Sequence, residues 1–156
     1  MSSEAADKAG VVAPPPLIYL GAIVVGALLE RVWRWEIPTA GWGAAVGALL
    51  ILIACVLFVL AVLEFRRAGT PPEPHKPTTA IVTSGPYRVS RNPIYLAFTL
   101  VQLGIALWIG SGWILVLLLP VSVLMNYAVI SREERYLDRK FGDEYFRYRR
   151  KVRRWI

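Results

Sequence analysis

Two short clusters hold most of the side chains that could do chemistry. The first is Gly85-Pro86-Tyr87-Arg88-Val89-Ser90-Arg91-Asn92-Pro93-Ile94-Tyr95, and the second, about 40 residues on, is Arg132-Glu133-Glu134. A guanidinium is a permanent planar donor that grips a carboxylate or phosphate through two parallel bonds. An amide donates and accepts but does not titrate, so Asn92 is no general base. A glutamate at a membrane–water boundary binds a positive group or orients an amine, and aromatic faces attract a cation held near them. Between the clusters the chain carries no charge from Asn92 to Ser131. Pro93 suits the first turn of a helix, where its missing N–H has no intrahelical partner. The two clusters therefore stand at the mouth of the same apolar segment and are expected to face each other across one site. The competing reading is structural: Glu133 or Glu134 bridges to Arg88, Arg91 or Arg135, and Arg91 only holds Glu133 or Glu64.

The elements that position these clusters follow from the charge pattern. Residues 9–29, 37–63 and 92–130 lack any charged side chain, in a chain that is 56% hydrophobic. Such runs meet or exceed the roughly 20 residues that cross a bilayer core. The predicted fold class is an all-α polytopic membrane protein with four transmembrane helices, the last two a helical hairpin, followed by cytoplasmic C-terminal helices. The spans are expected near residues 16–35, 42–65, 93–109 and 113–130. Gly110-Ser111-Gly112 is the natural break of the hairpin, and Pro120 should kink its second arm. Gly43, Ala44, Ala45, Gly47 and Ala48 offer a small-residue face for close helix approach. Glu30, Arg31, Arg34 and Glu36 are expected to pair among themselves at the end of the first span. Glu64 is either a plain interfacial glutamate or a partner of Arg91 or Arg132.

Residues 1–13 read as a flexible tail ahead of one membrane domain, 14–156, with no cleavable signal peptide. The proline-rich stretch around His75 should be extended. Beyond Ser131 the helix is predicted to run to Phe141 and stop at Gly142, with a last helix from Asp143. Asn126, Ile130, Glu133 and Leu137 share one face of the long helix. Tyr145, Tyr148, Val152 and Trp155 share one face of the last, which is a membrane-surface pattern. Asn126 should face protein.

Of 18 basic residues, 5 lie between Arg66 and Arg91 and 10 between Arg132 and Arg154. The positive-inside rule puts both stretches, and with them both termini and the site, in the cytoplasm; in a bacterium this would be an inner-membrane protein. Such a surface attracts anionic headgroups. Nucleic acid is not the expected partner, because the arginines alternate with aromatics directly after a membrane segment. One histidine, His75, and one distant cysteine, Cys55, make no metal site.

The chain also resembles the isoprenylcysteine carboxyl methyltransferase and phospholipid methyltransferase group of membrane enzymes. The resemblance runs through Ile81-Val82-Thr83-Ser84-Gly85-Pro86-Tyr87 and Arg91-Asn92-Pro93-Ile94-Tyr95. It resumes in Glu133-Glu134-Arg135-Tyr136-Leu137, Phe141-Gly142-Asp143-Glu144-Tyr145 and residues 148–155. It implies S-adenosyl-L-methionine as methyl donor, bound within residues 66–156. It implies that Thr79, Ile81, Val82, Tyr87, Asn92, Pro93 and Tyr95 line the cofactor site and that Glu133 holds its amino-acid end. Arg91 and Glu133 are the candidate catalytic residues; Arg132, Asn126 and Glu134 are the candidates for acceptor binding. The implied acceptor is lipidic or prenylcysteine-like and enters from the bilayer. Three positions depart from the group's pattern: Asn92 stands for its usual histidine, Ala97 for a glycine, and Val129 for an arginine that contacts substrate. Two other classes stay open. One is a sterol-reductase-like enzyme using NADPH, with Arg88, Arg91 and Arg132 on its phosphates. The other is a non-catalytic membrane scaffold.

Overall fold

The computed structural model describes residues 14–71 and 78–156. The predicted tail and most of the proline-rich loop, His75 included, lie outside the described residues.

Helix α1 is Pro15–Val32 and begins on two prolines, whose fixed φ suits a first turn. Helix α2 is Trp42–Arg67, and α3 is Pro93–Ile109, again opened by proline. Helix α4 is Gly112–Phe141, and α5 is Asp143–Lys151. Among the described residues, a 3₁₀ turn, Gly85–Arg88, precedes α3. Among the described residues there is no β-strand, only isolated bridges between Glu36 and Ser111 and between Ser90 and Arg153.

By length and composition, α1, α2 and α4 are three helices able to cross a membrane, while α3 is a shorter apolar helix of 17 residues. The expected hairpin turn at 110–112 is present: Gly110 adopts φ 71°, and Ser111 Oγ accepts from Ile114 N across the first turn of α4. The α4 hydrogen-bond ladder breaks at Leu117. Pro120 offers no N–H to the carbonyl four residues back and crowds it, which accounts for the break one turn earlier.

Close backbone approach fastens the bundle. A Cβ on Gly47 would lie 2.5 Å from the Gly104 carbonyl oxygen, and one on Gly43 would lie 2.6 Å from that of Leu107. Thus α2 and α3 touch backbone to backbone, which any larger side chain would prevent. Ala54 and Ala61 are fully buried and continue the seam of Gly43 and Gly47. Ala44 and Ala45, grouped with the glycines in the sequence reading, face outward instead. Across α3, Tyr19 of α1 reaches Thr99 Oγ1 at 2.9 Å.

The end of the bundle away from the two clusters is a closed polar knot. Glu30 Oε1 accepts from Trp35 N at 2.7 Å, and its Oε2 accepts from Ser111 Oγ at 2.6 Å. Trp113 Nε1 donates to Trp33 O at 2.6 Å, and Gly112 N to Trp35 O at 2.7 Å. Of the four charges expected to pair here, Arg34 and Glu36 do so at 3.6 Å on the surface. Glu30 satisfies the turn instead: in the last turn of α1 its carboxylate reaches two donors beyond the helix, the Trp35 amide and the Ser111 hydroxyl.

Candidate functional site

At the other end the helices part around a cavity of about 330 Å³, near the lower bound of the roughly 300–1,000 Å³ usual for small-molecule sites. Its walls come from the start of α1, the last turns of α2, residues 80–95, α4 beyond its apolar part, and α5. The two sequence clusters do meet here.

Glu133 is the pivot. Tyr95 Oη donates to its Oε1 at 2.5 Å, and among the described residues no lysine or arginine pairs with it. Glu134, one residue on, is in the opposite condition. Arg91 Nη1 lies 3.0 Å from its Oε1, while Arg154 Nε and Nη2 donate to Oε1 and Oε2 at 3.1 and 2.5 Å. Both Arg91 and Glu134 are almost wholly buried. One buried carboxylate between two guanidiniums satisfies its charge and fixes its position. Arg91 also donates to Tyr145 Oη at 3.4 Å, and its Nε is buried without a partner.

A π-helical turn at Met125–Ile130 sets the direction of this pair. Such a turn inserts residues into the helical register and occurs often at functional sites. The sequence reading put Asn126 and Glu133 on one face by assuming uniform α-helix. Across the π turn they separate: Asn126 Oδ1 accepts from Trp155 Nε1 at 3.1 Å, while Glu133 faces Tyr95.

The outer wall comes from α5 and is tied down by the last residues. Beyond α5 the chain turns extended at Val152. Arg91 N donates to Arg153 O at 3.0 Å, and Asn92 Nδ2 to Arg154 O at 2.8 Å. Trp155 packs on the core formed by Tyr19, Tyr95, Val121, Met125, Val129 and Ile130. Residues 152–156 thus form a strap across the entry of α3. The face of Tyr145, Tyr148, Val152 and Trp155, expected at a membrane surface, is turned onto the protein's own body. Tyr145 and Val152 are buried, and Tyr148 Oη donates to Tyr87 O at 2.7 Å. The outward side carries Phe146, with Arg149 and Arg150 over its ring at 5.8 and 5.9 Å. Burial pushes the hydroxyls of Tyr87, Tyr145 and Tyr148 above the ordinary phenol range, Tyr145 to about 12. At neutral pH they are neutral hydrogen-bonding groups.

Of the residues singled out from sequence, Ile81, Val82, Tyr87, Arg91, Asn92, Tyr95, Glu133 and Glu134 line the cavity. Four stand elsewhere. Thr79 donates through Oγ1 to Gly69 O at 3.2 Å. Pro93 is fully buried in the first turn of α3, Arg132 is exposed on α4, and Asn126 holds Trp155. Glu64 meets neither Arg91 nor Arg132: it pairs with Arg67 at 2.6 Å and accepts from Ser84 Oγ. The sequence reading missed Phe58, Val62, Phe98, Tyr136 and Tyr145 as lining residues. An apolar residue in an apolar span carries no mark of which neighbour it faces, so only the fold could find the first three.

The chain is thus a helical protein with apolar spans and, at one end, a cavity walled by tyrosines and bordered by a carboxylate that no described lysine or arginine pairs with. The chain belongs to the phospholipid methyltransferase family, which matches residues 42–144. It is therefore an integral membrane methyltransferase. The match takes in both clusters and ends inside α5, so Tyr145, Tyr148 and the strap lie beyond it. An uncharacterized protein of Haemophilus influenzae (strain ATCC 51907 / DSM 11121 / KW20 / Rd) is 45% identical over 63 residues, 40% of this chain and 100% of the Haemophilus protein. No solved structure matches the chain.

Proposed function

We propose that the chain is an S-adenosyl-L-methionine-dependent methyltransferase acting on a lipidic acceptor that enters from the bilayer. The observation that carries this reading is Glu133: a carboxylate in the cavity wall whose one described polar bond is to Tyr95. The residues fit the cofactor. Glu133 suits its ammonium, and Tyr87 and Tyr95 present rings suited to a sulfonium or an adenine. When bound, such a cofactor supplies a methyl group already activated for attack. What remains for the protein is to align donor and acceptor and to exclude water. Glu133 holds the cationic end, Tyr95 fixes the Glu133 carboxylate, and Tyr145 and Tyr148 close the site towards water. Arg91 is a positioning residue in this reading: through Glu134 and Tyr145 it locks the end of α4 against α5. Asn92, which lacks a titratable group and is no general base, holds the strap, which favours an acceptor that arrives already nucleophilic.

The same reading makes α3 a span as well, four in all, and puts the cavity, both termini and 16 of the 18 basic residues on the cytoplasmic side. There the outward arginines of α5 meet anionic headgroups. In a Cys55→Ser background, Arg34→Cys should then be labelled from outside and Thr83→Cys only from inside; the reverse result removes this orientation. The function itself is tested by calorimetry of the purified protein with S-adenosylhomocysteine and with NADPH. Saturable binding of the first alone is the expected result. Binding of NADPH alone replaces the reading with a reductase, and binding of neither leaves it without support.

A further inference from the structure

Two adjacent residues of the strap grip α4 on either side of its π turn. On one side, Trp155 Nε1 donates to Asn126 Oδ1 at 3.1 Å. On the other, Arg154 Nε and Nη2 donate to the two oxygens of Glu134 at 3.1 and 2.5 Å. The strap is itself pinned to the segment that leads into α3. Asn92 Nδ2 and Ser90 Oγ both donate to Arg154 O, at 2.8 and 3.4 Å. One helical turn beyond Asn92 stands Tyr95, the partner of Glu133. Between the two grips the turn is capped from within. The Ser131 amide reaches back five residues to Asn126 O, and the Ser131 hydroxyl donates to the same oxygen at 2.6 Å. Asn126 is thus held through its backbone by Ser131 and through its side chain by Trp155. Neither Asn126 nor Trp155 borders the cavity.

We infer that Trp155 and Asn126 are positioning residues for Glu133: the strap is a splint that holds the π turn open, and the open turn aims the Glu133 carboxylate at Tyr95 and the cavity. A π turn adds one residue to the helical register. Every residue after it stands where its predecessor would stand in an unbroken α-helix, about 100° away. Residues 126 and 133, seven apart, would share one face of an unbroken helix. Here one turns to Trp155 and the other to Tyr95. Were α4 to close into a regular helix with Asn126 held in place, the position of Glu133 would pass to Arg132, and a cation would replace the carboxylate at the wall. π turns are rare, so the regular helix is the state a chain adopts unless other contacts oppose it. Asn126 supplies those contacts, since its carbonyl takes the extra donor and its side chain takes the strap. A chain fixed at Arg154 by Glu134 and at Trp155 by Asn126 also fixes the stretch of helix between them. The inference rests on the methyl-transfer reading for what Glu133 holds, and on geometry alone for how Glu133 is held. If the strap merely fastened the C-terminus, Glu133 would be indifferent to Trp155.

The test uses the full chain in detergent and the pair Asn126→Leu with Trp155→Phe. Together they remove acceptor and donor at once and leave apolar groups of similar shape, which is close to neutral for stability; thermal unfolding checks this. If the pair lowers the melting temperature, Trp155→Phe alone, which keeps a ring against the core, is read by the same two measures. The first measure is the fluorine resonance of a fluorotyrosine in place of Tyr95, which reports its bond to Glu133. The pair should move this resonance towards the position it takes in Glu133→Gln. The second is calorimetric affinity for S-adenosylhomocysteine. The pair should lower it about tenfold, and should lower it no further when placed in Glu133→Gln. A resonance that stays where the parent has it overturns the splint. An affinity loss of equal size with and without the Glu133 carboxylate also overturns it, because Trp155 then acts elsewhere. The two readings fail separately. If the resonance moves but the parent protein binds no S-adenosylhomocysteine, the methyl-transfer reading falls and the splint stands. If the parent and the paired variant bind it alike and the resonance is unmoved, the splint falls and the cofactor reading stands.

Discussion

Each end of the bundle places glutamates among aromatic rings and turns, but among the described residues only one end sets a carboxylate beside a cavity without a cationic partner. At the closed end Glu30 spends both oxygens on the Trp35 amide and the Ser111 hydroxyl, and glycines bring α2 and α3 into backbone contact. Such a carboxylate is a component of a turn. At the open end Glu64 is taken by Arg67 and Ser84, and Glu134 by Arg91 and Arg154. Glu133 keeps a single hydroxyl partner and borders a cavity. The difference does not lie in residue type. A carboxylate whose lone pairs are filled by the fold holds the fold, and one the fold leaves short of partners beside a void has capacity for a ligand.

The largest effect that could break this contrast is at Glu134. Glu134→Ala leaves Arg91 and Arg154 facing each other without their shared counter-charge, and removing one partner of a buried ion pair costs about 3–5 kcal/mol. A clear fall in melting temperature in detergent is expected, together with increased proteolysis near the C-terminus as the strap loosens. A variant as stable as the parent would show that the triad does not hold α5. Next is Gly47→Leu at the closed end, where a side chain must displace the Gly104 carbonyl 2.5 Å away. Overpacking of this kind costs about 1–3 kcal/mol. Stability should fall while affinity for S-adenosylhomocysteine in the folded fraction stays unchanged, and a parallel loss of affinity would mean that the two ends are not independent. The smallest effect concerns Arg91→Lys, which keeps the charge but gives up the planar fork. Cofactor affinity should be nearly normal while methyl transfer drops about tenfold, since small misplacements are costly at a reacting centre. If stability and affinity fall together instead, Arg91 only holds the fold.

Much of this could be read in the chain before folding. Charge-free runs marked the helices, Gly110-Ser111-Gly112 the hairpin turn, and Pro120 the break in α4. The separation of two polar clusters by one apolar hairpin foretold that they would meet. The details that decide chemistry were less legible. Nothing local distinguishes Met125–Ile130 as a π turn, yet that turn sends Asn126 to Trp155 and Glu133 to Tyr95. Glu64 lies one helical turn from Arg67 and beside a loop whose path depends on Gly85 at φ 56°, so its pairing followed from the loop and not from its own position. The tyrosines of α5 showed an amphipathic face, and amphipathicity alone does not say whether that face meets lipid or the rest of the chain. Here the strap settles the matter through contacts between residues some 60 positions apart, such as Asn92 with Arg154.

The most direct test of the central claim is calorimetric titration of S-adenosylhomocysteine into Glu133→Gln, with Glu30→Gln from the closed end as control. Loss of a charge-assisted hydrogen bond should weaken binding to Glu133→Gln by about 1–3 kcal/mol, roughly tenfold or more, with little change in melting temperature. Glu30→Gln should bind as the parent does. Unchanged affinity in a folded Glu133→Gln protein would contradict the account, because the cavity carboxylate that no described lysine or arginine pairs with would then have no ligand to hold.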